Sequence, residues 1–325
     1  MDQVRRRILS MLAAAPALSL GRYAMANTDD YPNKALRIIV PFSPGSGSDV
    51  YARYFGQQLS GRIGQAVVVE NRPGAGGAIA VKALQSAPAD GYTILLGSNS
   101  PMSVNVPAYK ELAYDPVKDL RPLCGLSRSM AVIVVPTSSP IQNLDDLVKR
   151  GKQQPPLNMG TYSAGYQLAA APFLAQAGFK WQDINYKGLS QTTADVVGGQ
   201  VDVAVIDTPG SVNIVNSGQM RAIAVTGTER HPEMPDVPTL LEKGYDGASH
   251  YSWTSLWVAN DTPDALVEKI SGELLAVLND PEAAKFVASK GGEIMPFGPD
   301  DMRKFQLSEI QRFTSAVDTL EFEKI

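Results

Sequence analysis

From Leu36 onward the chain repeats one pattern: a short apolar run, a polar glycine-rich stretch, then apolar positions at helical spacing. Arg37-Ile38-Ile39-Val40 reads as a buried strand, and Asp49 to Gly61 as a helix with Tyr51, Tyr54 and Phe55 near 3.6-residue spacing. Ala66 to Val69 predicts a second strand, Gly77 to Ser86 a helix and Thr93 to Leu96 a third strand. A second unit follows, with strands at Ala131 to Val135, Val201 to Ile206 and Arg221 to Val225. Within it Asn143 is placed to cap a helix through Leu144, Leu147 and Val148, and Pro156 to Met159 leads into another strand–loop–helix passage. Tyr251 to Val258 predicts one more strand. Beyond it Leu266, Val267, Ile270, Leu274, Val277 and Leu278 form a helical stripe, and Asp280-Pro281 stops that helix and starts the next. Asp300 to Thr319 predicts a final amphipathic helix. Strands alternating with helices imply parallel pairing and an α/β, doubly wound architecture.

The first 26 residues break this pattern. Arg5, Arg6 and Arg7 precede an apolar stretch from Ile8 to Leu20, and Ala24-Met25-Ala26 is a small-x-small site. Charge, apolar run and cleavage site in this order predict a secretory signal over residues 1–26, of Sec or twin-arginine type. The apolar stretch is too short to span a bilayer. Its removal takes away four Arg and one Asp, shifting the net charge from −4 to −7. A mildly acidic chain has no basic surplus for nucleic acid. The expected product is a free, monomeric periplasmic protein.

The 325 residues suit two lobes. The expected division is 30–126 plus 227–325 for one lobe and 127–226 for the other. The chain would then cross near Gly125-Leu126-Ser127 and near Thr226-Gly227-Thr228. Cys124, in the apolar context Leu123-Cys124-Gly125-Leu126, reads as buried filler. His231 and His250 stand too far apart for metal-ligand spacing, and no cofactor or metal is implied.

Ligands of open α/β sheets sit beyond the carboxyl ends of the strands. The loop Phe42-Ser43-Pro44-Gly45-Ser46-Gly47-Ser48-Asp49 occupies such a position. Its glycines let backbone approach a ligand, and the helix start behind them offers unpaired N–H groups and partial positive charge. That combination holds a carboxylate or phosphate without Arg or Lys. The loop completes neither a P-loop nor a dinucleotide fingerprint. Its plainer reading is a helix start capped by Ser48 or Asp49. A second glycine-rich passage is Asn71-Arg72-Pro73-Gly74-Ala75-Gly76-Gly77. A third, Gly160-Thr161-Tyr162-Ser163-Ala164-Gly165, lies in the other lobe, so two helix N-termini would clamp one anion from both sides. Asp207 ends the strand Val201 to Ile206 and points into the same crevice, or caps the helix at Pro209.

These segments resemble the tripartite tricarboxylate transporter receptors, the Bug-type periplasmic binding proteins. The resemblance is carried by Tyr31-Pro32-Asn33-Lys34, by Val40 to Asp49, by Val69-Glu70 with the Asn71–Gly77 passage, and by Ala89-Asp90-Gly91-Tyr92-Thr93. Tyr186-Lys187-Gly188, Gly198-Gly199-Gln200-Val201 and Pro235-Asp236-Val237-Pro238-Thr239 add to it. It implies a type II periplasmic-binding-protein fold, two doubly wound lobes with a ligand cleft between them. It also implies capture of a small carboxylate for a membrane transporter, or for a membrane sensor in the alternative role. Ligand-binding positions carried over are Phe42, Ser43, Gly45, Ser46, Gly47, Ser48 and Asp49 in one lobe. In the other they are Thr161, Tyr162, Ser163, Gly165 and Asp207, with Ser98 of the Ser98-Asn99-Ser100 loop as a further lining residue.

The sequence departs from the family pattern at Gly165-Tyr166-Gln167-Leu168 and at Trp253-Thr254-Ser255. Tyr162 and Tyr166 add aromatic bulk, which favours an aromatic or bulky carboxylate. Ser163, Asp207 and His250 also follow the chain order of a serine hydrolase triad. Thr161, however, stands where the nucleophile elbow needs Gly, and His250 opens a strand.

Overall fold

The structure is a computed structural model that describes residues 30–319, 322, 324 and 325. The secretory signal expected over 1–26 lies outside the described residues. Among these, no helix is long and apolar enough to cross a membrane.

The first lobe opens with β1 (Leu36–Val40), α1 (Gly47–Ile63), β2 (Val67–Asn71), α2 (Ala78–Gln85) and β3 (Thr93–Ser98). A π-helical turn over Ser100–Val104 then leads into the short α3 (Asn105–Ala108). The Ser98-Asn99-Ser100 segment, expected as a loop, is therefore a strand end running straight into a helical turn. The 17-residue strand β4 (Leu120–Pro136) carries the chain into the second lobe. There follow α4 (Leu144–Gly151), β5 (Asn158–Thr161), α5 (Ala164–Ala177), β6 (Gln182–Asn185), α6 (Leu189–Val197), β7 (Val203–Asp207), α7 (Thr208–Asn216) and β8 (Met220–Val225). The return to the first lobe uses β9 (Tyr251–Ala259), α8 (Asp264–Leu278), α9 (Pro281–Ala288), β10 (Gly292–Ile294) and α10 (Pro299–Thr319).

β2, β1 and β3 are parallel, β9 runs antiparallel beside β3, and β4 and then β10 continue the same sheet. The second sheet takes the far end of β4, flanked by β8 on one side and by β7, β5 and β6 on the other. β4 pairs with β9 as far as Met130, and with β7 from Ala131. Residues 127–130 therefore belong to the first sheet, three or four residues beyond the expected crossing. Residues 227–250, assigned to the first lobe from sequence, also differ. Met234, Leu240 and Ala248 pack into the cluster built on Val132 to Val135, and the Leu240 amide bonds to Val225 O at 3.0 Å. Apolar burial thus holds this connection to the second lobe until just before β9.

Thr226 joins the crossings. Its Oγ1 accepts from the Ala131 amide (2.9 Å) and donates to His250 O (2.7 Å), while the His250 amide bonds back to Thr226 O (2.8 Å). The predicted helix signals appear as read at two caps. Asn143 Oδ1 accepts from the Asp146 amide, and Asp280 Oδ1 from the Glu282 amide. The whole α8 stripe is buried beneath the first sheet with Tyr51, Phe55 and Leu59 of α1. Cys124 is buried there as well, and burial pushes its thiol up, away from reactivity.

Candidate functional site

α1 begins where the expected loop places it, but with a different cap. Gly45 turns the chain at φ +81°, a conformation that favours Gly, and Ser46 Oγ accepts from the Asp49 amide at 3.4 Å. Ser46, rather than Ser48 or Asp49, is therefore the cap. The Asp49 carboxylate braces the loop from behind, accepting from the Gly45 amide, Arg53 Nε and Asn71 Nδ2, each at 2.9 Å. Burial raises its pKa, yet the bonds from Arg53, Gly45 and Asn71 outweigh this and hold the carboxyl below its ordinary range. Asn71 Nδ2 also donates to Phe42 O at 3.0 Å, so the second glycine-rich passage shapes the first loop rather than forming a site of its own.

The two lobes are closed on each other. Ser190 Oγ of α6 donates to Pro44 O at 3.1 Å and lies 3.3 Å from Ser43 Oγ. A Cβ on Gly188 would come within 3.1 Å of the Ser43 amide nitrogen, and one on Gly165 within 2.7 Å of Ser100 Oγ and 2.9 Å of Asn99 Nδ2. These glycines permit the lobes to touch.

Between them lies a cavity of about 30 Å³, counted as space open to the centre of a water-sized sphere. Of the expected positions, Phe42, Gly47, Ser48, Ser98, Tyr162, Ser163 and Asp207 line it. Ser43, Gly45, Ser46, Asp49, Thr161 and Gly165 stand behind the lining, as loop braces, cap or interlobe contacts. Sequence reasoning missed the floor. Ser127 and Ser129 of β4 face Thr254 and Ser252 of β9 as direct cross-strand partners, and Ser127 Oγ lies 2.9 Å from Thr254 Oγ1. Small hydroxyls alternating along two strands were the available signal. Trp253 closes one side, its indole N–H anchored on Glu309 at 2.9 Å.

None of the lining residues is Lys, Arg or His. Donors come instead from amides and hydroxyls. Ser98 Oγ and Asn99 Nδ2 are buried without a hydrogen-bond partner. Ser163 precedes the first turn of α5 and makes no side-chain capping bond. A buried donor left unpaired costs about 1–3 kcal/mol, so an acceptor that reached these two groups would offset that cost.

The lining also holds an acceptor of the protein's own, Asp207. Asp207 Oδ1 accepts from the Gly47 amide of the first lobe (2.8 Å) and the Gly210 amide of the second (2.7 Å), and the Tyr162 hydroxyl donates to Oδ2. Burial raises Asp207, and the bonds from Tyr162, Gly210 and Gly47 oppose the rise. Asp207 thus caps α7 as one sequence reading held, and also spans the cleft. The starts of α1 and α7 together hold the carboxyl of Asp207, while the expected clamp was between the starts of α1 and α5.

The aromatic expectation changes too. Tyr162 meets Phe42 edge-on at 5.4 Å and Tyr166 at 5.0 Å, so both tyrosines are packed in the wall. Burial, with the Asp207 charge next, raises both phenols. No hydrogen bond links Ser163, Asp207 and His250; the ring of His250 faces Ser252 Oγ at 3.5 Å. The triad order in the sequence therefore has no counterpart in space.

Burial, and then the nearby Arg312, lower His250 to about 3. Its neutral form belongs to the fold, so stability is intact above the unfolded value near 6.5 and falls as pH drops toward 3. Between pH 6.5 and 4.5 the wild type should lose about 2–3 kcal/mol more than His250→Gln in urea titrations, at about 1.4 kcal/mol per pH unit. Equal losses would place the acid sensitivity elsewhere.

The model of the family described as "Tripartite tricarboxylate transporter family receptor" matches residues 51–321. The chain belongs to this family. The UPF0065 protein in the tcbD-tcbE intergenic region of Pseudomonas sp. (strain P51) is 30% identical over 318 residues, covering 96% of this chain and 94% of that one. Among solved structures, R. palustris Rpa4515 with adipate superposes with a TM-score of 0.85 at 28% identity over 90% of this chain and 99% of that one. The periplasmic binding protein BugD does so with 0.85 at 28% identity, over 91% and 100%. As a receptor of this family the protein is an extracytoplasmic solute-binding protein for small carboxylates, with the family's two-lobed fold and interlobe cleft, and not an enzyme.

Proposed function

We propose that the protein is exported to the periplasm, captures one compact carboxylate between its lobes and delivers it to membrane subunits of a tripartite tricarboxylate-type transporter. The observation carrying the ligand reading is the pair of buried, unpartnered donors Ser98 Oγ and Asn99 Nδ2 beside Ser163 at the start of α5. A carboxylate placed there accepts from both and lies against the positive end of a 14-residue helix. Neutral donors suit reversible capture, because they hold charge without a permanent counter-ion. The packing of Tyr162 and Tyr166 against Phe42 and each other places their rings in the wall, which speaks for a short acid skeleton over the aromatic one. The solved relative with adipate supports a linear acid.

Native mass spectrometry of freshly purified protein, followed by calorimetry with a panel of short acids, tests this. Retention of a small acid, or tight binding of a short carboxylate, is expected. A panel in which only bulky aromatic acids or only uncharged solutes bind would overturn it.

A further inference from the structure

The loop between β1 and α1 belongs to the first lobe but buries its aromatic side chain in the second. Ile38, Ile39 and Val40 of β1 pack into the apolar clusters of the first lobe. Phe42, two residues further along, is 5% exposed and belongs instead to the cluster built on Val132 to Val135, where its ring meets Tyr162 edge-on at 5.4 Å. The first lobe braces this knob from behind. Asn71 Nδ2 donates to Phe42 O (3.0 Å) and to Asp49 Oδ1 (2.9 Å), and Asp49 Oδ2 accepts from the Gly45 amide (2.9 Å). Around the knob the same loop meets two helix starts of the second lobe. Ser190, in the first turn of α6, donates to Pro44 O at 3.1 Å, and the Gly47 amide donates to Asp207, the cap of α7, at 2.8 Å. Gly210 of α7 lies so close that a Cβ on it would come within 2.6 Å of Gly45 O. Each of these contacts joins one lobe directly to the other. We propose that Phe42 is a docking knob by which the lobes close on each other without solute, so that the ligand-free protein rests closed for a large share of the time and admits its solute by opening.

In the open form the Phe42 ring faces water, while Asn71 and Asp49 still hold the loop in shape. Docking the ring removes apolar surface from water, and burying one such side chain shifts an equilibrium on the order of ten- to a hundredfold. A loop ordered before the lobes meet loses little conformational freedom on docking. The hydrogen bonds of Ser190 and Gly47 replace bonds to water, so they fix the register of the lobes more than they strengthen the contact. A solute that prefers the closed form then enlarges a population already present.

Distances between spin labels on the two lobes test this. The labels are carried by Lys82→Cys on α2 and Ala194→Cys on α6, both exposed positions, and the buried Cys124 is left in place. The protein is unfolded, dialysed and refolded to remove retained solute, and native mass spectrometry verifies that it is empty. No solute enters the measurement, so its outcome is separate from that of the carboxylate reading. Gly47→Val, whose side chain meets Asp207 only when the lobes are closed, supplies the open distance. The empty wild type should show a second, distinct distance carrying at least about half of the molecules, and Phe42→Ala should lower the closed-to-open ratio at least about tenfold. A wild type with the same distance distribution as Gly47→Val overturns the proposal. So does a Phe42→Ala protein with the ratio of wild type. If Phe42→Ala does not fold, wild type against Gly47→Val alone decides.

Discussion

Gly47→Val should abolish solute binding, with a loss of at least about 100-fold in affinity, and leave the fold intact. A Cβ at Gly47 would lie 2.6 Å from Asp207 Oδ1 and 3.3 Å from Pro209 Cβ. Both atoms belong to the second lobe, so the clash exists only when the lobes are closed. Gly47 is the first residue of α1 with an ordinary backbone angle, and a side chain there is tolerated by the first lobe alone. Asp207 is held by three donors, and moving it aside breaks the bond that spans the cleft. Ligand-driven closure is a shift of population toward the state that binds better. A variant denied that state loses affinity by the whole differential. Calorimetry and a melting curve of the ligand-free protein separate the two effects. Binding within about threefold of wild type would show that the productive state does not bring Gly47 against Asp207.

Asn99→Asp should be as damaging by a different route. The side chain keeps its shape and exchanges an amide donor for a carboxylate where the ligand's carboxylate is placed. Charge opposes charge in a desolvated pocket, and a loss of at least about 100-fold is expected. Ser98→Ala removes one neutral donor and should cost only about tenfold. If Asn99→Asp bound normally, the acceptor end of the ligand would not lie there.

Much of this was legible in sequence where local physics decides. β1, α1 and the α8 stripe follow from apolar spacing, and the caps Asn143 and Asp280 from side-chain chemistry. β6 was not, because Gln182-Asp183-Ile184-Asn185 is a polar edge strand held by backbone pairing to β5. The first half of β4 was hidden by Pro122 and Gly125 and by register shifts against β9. At the site, the glycine loops announced themselves because only Gly permits the Gly45 turn and the close approach at Gly47. Asp207 lines the cavity. Its partner Gly47 is 160 residues away, and no local pattern reveals that the two meet. The serine-lined floor likewise depends on pairing between strands more than a hundred residues apart.

A crystal structure of the protein with its retained or best-binding acid examines the site most directly. The expected map has the carboxylate about 2.7–3.2 Å from Asn99 Nδ2 and Ser98 Oγ, against the first turn of α5, with Asp207 still on Gly47 and Gly210. A carboxylate seated on the Gly47 amide with Asp207 swung away, or paired with an Arg or Lys outside the cleft, would contradict it.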